Sequence, residues 1–207
     1  MHKAHRLLSI ALLTTLSASA FATTTTYTSS SSFMAQVNAG SYTEGFNGWV
    51  SDPPSGALVF SSGSFTYSAF ATSDLYLTAG FLGTSQINQA LTINFTSGNV
   101  TAIGGNFFAT DLNDAFQAVS LTVTLSDGTV TTFTPTSIAD GFRGFTSTST
   151  ITSLTISAPG QSLYAGLDNL TVGVSAVPEP ANWALMGLGL AGVVAARRRS
   201  NSSNKAS

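Results

Sequence analysis

Cysteine is absent from all 207 residues, and the two histidines, His2 and His5, stand at the extreme N-terminus. Between Thr23 and Ala176 there is also no lysine and a single arginine, Arg143. Each absence removes a chemistry. Without imidazole or thiol there is no Ser-His-Asp or Cys-His nucleophile system and no Cys/His zinc site, and without lysine there is no Schiff base. A chain without cysteine has no disulfide staples, so its stability comes from its core or a bound ion. The acids of the same segment are Glu44, Asp52, Asp74, Asp111, Asp114, Asp127, Asp140 and Asp168. One base against eight acids leaves a formal charge of −7, which terminal bases hide in the whole-chain value of −2. Such a body repels phosphate, which argues against a nucleic-acid partner. Its roughly 150 residues suffice for one domain with a real core.

The two ends explain the skewed composition. Lys3 and Arg6 lead into an apolar run over 7–16, and small residues follow up to Ala20-Phe21-Ala22. This is the layout of a secretory signal peptide, residues 1–22, with Ala20 and Ala22 marking the cleavage site. The run is too short to serve comfortably as an uncleaved membrane anchor. At the other end Val177-Pro178-Glu179-Pro180 precedes an apolar stretch from Trp183 to Ala196 and then Arg197-Arg198-Arg199. Residues 181–196 are expected to form one short transmembrane helix, reaching ~24 Å at ~1.5 Å per residue against a hydrocarbon core of ~30 Å. The arginines and the tail 200–207 then stay cytoplasmic, with the body on the far side of the membrane. Gly187 to Gly192 spells G-x-G-x-x-G, but no βαβ unit surrounds it, and its glycines read as small residues of a membrane helix.

The order of Val177, Pro178, Glu179 and Pro180, a short apolar helix and the cluster Arg197, Arg198, Arg199 resembles a PEP-CTERM sorting signal over 177–199. The resemblance implies retention in the inner membrane of a Gram-negative bacterium that makes exopolysaccharide, then processing by an exosortase near the Pro-Glu-Pro motif. The expected partners are therefore an exosortase-type enzyme and the bacterial inner membrane, with polysaccharide as a further candidate. The expected destination is the cell surface or the medium.

Residues 23–32 are nearly all Thr and Ser and read as an extended, solvated leader. From 33 to 176 the chain is a series of short runs with period-two alternation, and Ser32 to Ala39 has room for a turn or two of helix. Leu91-Thr92-Ile93-Asn94-Phe95 and Val119-Ser120-Leu121-Thr122-Val123-Thr124-Leu125 each place apolar side chains on one face. Phe65 to Ala69, Leu154 to Ile156 and Leu170 to Val174 repeat the pattern, while Leu58-Val59-Phe60 and Asn106-Phe107-Phe108-Ala109 read as buried on both sides. Asp127-Gly128 predicts a type I′ hairpin pairing Leu125 with Val130, which leaves Phe133 on the opposite face. Strands every ten residues or so, separated by Gly-rich turns, predict an all-β antiparallel sandwich of jelly-roll-like design. Gly104 to Asp111, Leu125 to Thr129, Phe142 to Phe145 and Leu167 to Gly173 resemble blocks of jelly-roll domains that often precede this type of tail.

Chemistry-bearing candidates are few. Glu44 near the first strand and Asp168 on the last resemble the paired ends of carbohydrate-binding jelly rolls that share a structural calcium ion, an ion that takes oxygen ligands only. Asp111-Leu112-Asn113-Asp114 contains two close carboxylates, as a glycosidase requires, but turn chemistry accounts for the quartet more simply. Arg143 reads as paired with Asp140 or another surface acid. Trp49, Tyr67, Tyr76 and Tyr164 would form a sugar-stacking platform if exposed, against the commoner role of core aromatics. The sequons at Asn94, Asn99 and Asn169 carry no weight in a bacterium. The reading that follows is a non-catalytic exported envelope or matrix protein linked to exopolysaccharide or biofilm, and its rival is a carbohydrate-binding module. A carboxylate-only glycoside hydrolase ranks lower, as does ice binding, which needs a flat and regular Thr array.

Overall fold

The computed structural model describes residues 23–48, 56–78, 80–176, 187 and 189–192. The signal peptide with Ala20 and Ala22, Trp49, Val177 to Pro180, most of 181–196, Arg197 to Arg199 and the tail 200–207 lie outside the described residues. Gly187 and 189–192 are helical and exposed. Among the described residues no helix is long and apolar enough to cross a membrane.

The described strands are β1 (Thr24–Tyr27), β2 (Tyr42–Glu44), β3 (Leu58–Ser62), β4 (Phe65–Phe70), β5 (Leu75–Thr78), β6 (Phe81–Thr84), β7 (Leu91–Phe95), β8 (Ala102–Thr110), β9 (Phe116–Gln117), β10 (Leu121–Leu125), β11 (Val130–Phe133), β12 (Phe142–Ser147), β13 (Ser153–Ser157) and β14 (Tyr164–Gly173). One short helix, α1 (Ser30–Met34), follows β1 and is capped by the Ser29 side chain. All pairings between named strands are antiparallel. One sheet runs β1-β12-β8-β14-β6-β5, with β2 added to β14 and β9 to β8, and the other runs β11-β10-β13-β7-β4-β3.

Alternation builds the six-stranded sheet as expected. Leu91, Ile93 and Phe95 of β7 and Leu121, Val123 and Leu125 of β10 are buried in the core between the sheets. The opposite face carries hydroxyls that bond across strands, Thr92 to Thr155 at 3.2 Å and Thr122 to Thr132 at 3.3 Å. This is a β-sandwich with one wet face.

The eight-stranded sheet differs because its outer face is also covered. In β8, Ile103, Phe107 and Ala109 enter the main core while Phe108 is buried on the other side. Glycines make the cover possible. A Cβ on Gly104 or Gly144 would lie 2.7 Å and 2.5 Å from the Phe33 ring, and one on Gly166 would lie 2.7 Å from the Phe108 ring. The rings therefore rest directly on backbone, Phe33 beside Tyr27 and Phe142, and Phe108 beside Phe81.

Several expectations need correction. The Ser/Thr leader is not outside the fold: Thr24–Tyr27 pairs with β12 as an edge strand, because a ladder is held by backbone hydrogen bonds and needs no apolar side chain. The domain thus starts about ten residues before Phe33, and the helix forms earlier than Ser32 to Ala39. Val59 is 69% exposed, since β3 is a sheet edge and Val59 faces water. Thr171, expected on a wet face, is buried and bonds the Thr43 hydroxyl at 2.9 Å because β2 lies alongside.

The hairpin at Asp127-Gly128 is also of a different type. Only Gly128 has positive φ, +87°, and the bonds Gly128 N–H to Leu125 O and Leu125 N–H to Thr129 O close a three-residue loop. Such a loop is a type I turn followed by a left-handed residue. The register shifts by one, so Val130 opposite Thr124 faces water and Phe133 opposite Leu121 packs on the core. That shift resolves the conflict between the faces of Val130 and Phe133.

Gly144→Ala is expected to destabilise the domain by about 2 kcal/mol through overpacking against Phe33. Denaturant unfolding should show a lower midpoint at unchanged slope, and an unchanged midpoint would mean that Phe33 is free to move away.

Candidate functional site

The best-formed concavity, of about 440 Å³, lies where β5 and β6 meet the start of β14 and the end of β8. Its walls include Asp74, Tyr76, Phe81, Gln86, Asp111, Asp114 and Tyr164. Strand register assembles it. Tyr76 stands opposite Gly83, Gly83 opposite Gly166, and Gly166 opposite Phe108, so Gly83 gives the cleft a low floor and Gly166 lies beneath the Phe108 ring. Phe81 bridges the walls, its ring 5.8 Å from that of Tyr76 and 5.4 Å from that of Phe108. Tyr164 stands opposite Thr110 at the head of β14.

The loop between β8 and β9 contributes the carboxylates. Asp111 accepts hydrogen bonds from the Asn113 N–H at 2.8 Å, the Ala115 N–H at 3.1 Å and the Gln117 side chain at 3.0 Å, so both its oxygens are engaged in holding the turn. Asp114, in the left-handed region at φ 61°, accepts the Tyr76 hydroxyl at 2.7 Å and fixes that ring. Two candidate acids and two candidate aromatics therefore meet in one cleft, with Asp111 tied into a turn. Asp74 and Phe81 were missed because only the register of β5 with β6 brings them there. The one linear hint was a Tyr and a Phe flanking Ala79-Gly80.

The other candidates go elsewhere. Tyr67 is fully buried and stacked on Phe60 at 5.0 Å, so it belongs to the core and not to a platform. Arg143 sits over the Phe133 ring at 3.7 Å and donates to the carbonyls of Asp140 at 3.1 Å and Phe142 at 2.6 Å. Its burial lowers the guanidinium pKa, partly offset by the Asp140 charge. The Asp140 carboxylate accepts the Thr136 N–H and hydroxyl, which lower its pKa further than Arg143 does.

Glu44 and Asp168 do not come together. Glu44 is opposite Leu170, whose side chain is in the core, whereas Asp168 is opposite Asn106 on the outer face, with a bulge between the two positions. Glu44 accepts the Tyr42 hydroxyl and the Phe46 N–H at 2.8 Å. Asp168 accepts the Asn169 N–H at 2.6 Å and its side-chain amide at 2.8 Å, and burial raises its pKa against the first of these bonds. Among the described residues no three His, Cys, Asp or Glu side chains cluster for a metal. Glu44 and Asp168 thus leave opposite faces of the sheet.

Glu44 instead belongs to an inward-facing group with Tyr42 and Tyr67. The Tyr67 hydroxyl is buried and meets no hydrogen-bond geometry among the described residues, its polar neighbour being the Tyr42 hydroxyl. Burial first, then Glu44, pushes the Tyr42 pKa up to about 12, and burial with the charges of Tyr42 and Glu44 raises that of Tyr67 as well.

These features define a β-sandwich with an aromatic cleft at one end, described as far as Ala176. Residues 176–199 match the PEP-CTERM protein-sorting motif, which marks the chain as an exported protein that is sorted by an exosortase and anchored in the membrane during sorting. No curated protein and no solved structure matches the chain.

Two measurements follow. Because both tyrosines have raised folded-state pKa values, their stabilisation is fully present below the unfolded value of ~10 and falls as pH rises above it, the Tyr42 share being lost as pH climbs through about 12. Thermal melts should fall across that window, less steeply for Tyr42→Phe. Millimolar calcium should leave the melting temperature of the wild-type domain unchanged, and a rise would restore a bound ion to the account.

Proposed function

We propose that this exported protein is a non-catalytic component of the cell envelope or matrix that binds polysaccharide through the Tyr76–Phe81–Tyr164 cleft. The observation that carries the reading is the cleft's composition: pre-positioned aromatic faces over a glycine floor, with a few convergent polar groups at the rim. Small-ligand sites are built this way, and aromatic rings offer large contact area at low conformational cost. Export by a sorting signal whose carriers make exopolysaccharide supports the choice of a sugar ligand and a role in biofilm. The repeated crossing of the chain between the two sheets supports a jelly-roll-like connectivity, an architecture shared with lectins.

Hydrolysis is the weaker alternative, since the Asp111 carboxylate holds a turn. Ice binding fares no better, as exposed Val59, Phe70 and Val130 interrupt the hydroxyl face.

Retention of the purified protein on immobilised polysaccharide should weaken roughly tenfold in each of Tyr76→Ala and Tyr164→Ala, with the β-sheet circular dichroism spectrum unchanged. Retention unaffected by both would remove the cleft from the proposal, and sugar release abolished by Asp114→Asn would replace binding with catalysis.

A further inference from the structure

The points where the sandwich begins and ends lie together, at the end opposite the cleft. At the N-terminal side, Thr23 N–H donates to the Thr148 hydroxyl at 3.0 Å and Thr24 stands opposite Ser147. At the C-terminal side, the Ser175 N–H donates to the Thr101 hydroxyl at 2.8 Å, the Ser175 hydroxyl reaches the Ser147 carbonyl at 3.4 Å, and the Ala176 N–H donates to the Gln36 carbonyl at 2.7 Å. Ser147 thus neighbours both exits.

Strands β8 and β14 connect this corner to the cleft. Gly173 opposite Ala102 lies at the exits, and Tyr164 opposite Thr110 lies at the cleft wall. At ~3.3 Å per residue the two ends are about 30 Å apart. From Ala176 the chain has only Val177 to Asn182 before Trp183, a reach of roughly 20 Å fully extended.

Charge follows the same axis. Asp74, Asp111 and Asp114 line the cleft, whereas the turns at the exit end, Gly63-Ser64, Ser97 to Asn99, Asp127-Gly128 and Thr148 to Thr150, hold one acid, Asp127. Burial alone would raise the pKa of Asp127, but hydrogen bonds from Thr24 and Thr129 outweigh it and lower it. An anionic lipid surface therefore meets least repulsion at the exit end and most at the cleft end.

We infer that the exit end is a membrane-facing surface and that the anchored protein presents its cleft outward, about 30 Å or more from the lipid. The partner is the anionic bilayer itself, and the inference rests on the tail being held in that bilayer, not on what the cleft binds.

The absence of cysteine allows a clean test. Thr150→Cys at the exit end and Gln86→Cys at the cleft rim are exposed positions for a donor dye. The full chain is inserted into phosphatidylethanolamine and phosphatidylglycerol vesicles carrying an acceptor lipid. Energy transfer from position 150 should exceed that from position 86 several-fold. Equal or reversed transfer overturns the orientation, and vesicles that fail to retain the chain overturn the anchoring beneath it. Polysaccharide retention is measured separately, so loss of the sugar reading leaves this result standing.

Discussion

The structure depends on one antiparallel pair, β8 with β14. These strands are central in the larger sheet and are covered on both faces, so they carry apolar residues or glycine at nearly every position. Everything with a functional reading hangs from them. Their heads supply Thr110 and Tyr164 to the cleft, their middles carry Asn106 and Asp168, and their feet hold the segment from which the chain departs. A slip of one residue would turn Phe107 out and Phe108 in, exchanging core for cleft wall. The bulge between Asp168 and Thr171 absorbs an extra residue near the middle, and alternation resumes with Leu170 and Val172 in the core.

A protein of low charge and no disulfides must still exclude water from two sheet faces. It does so with aromatic rings laid on glycine. Phe33 comes from a five-residue helix far too short to be stable alone, and the same ring that fills the space over Gly104 and Gly144 is what holds that helix in place. At the other end Phe108 over Gly166 forms the buried base against which Phe81 and then Tyr76 lean. Core packing and cleft architecture are therefore one continuous set of contacts.

What could be read in advance was what is local in sequence. Leu91 to Phe95 and Leu121 to Leu125 announce their faces by alternation, and the sorting tail is a linear order of parts that needs no fold to be recognised. The cleft was only half legible: Tyr76, Tyr164, Asp111 and Asp114 stood out by residue type, but no pattern along the chain says that they converge. Convergence comes from the register of four strands, with Gly83 and Gly166 as silent spacers. Thr24 to Tyr27 was hidden for the opposite reason, since an edge strand with one aromatic among threonines leaves no alternating hydrophobic signature. Glu44 and Asp168 illustrate the remaining failure, because residues on neighbouring strands share a site only if they leave the same face.

The bonds that fasten Val174, Ser175 and Ala176 to Asn38, Thr101 and Gln36 are complete at Ala176, the first residue of the sorting motif. Scission anywhere downstream of Ala176 consequently breaks no hydrogen bond described in the sandwich. The hydrogen bonds that close the sandwich are thus all made on the N-terminal side of the tail, and they are the same set whether or not that tail stays attached.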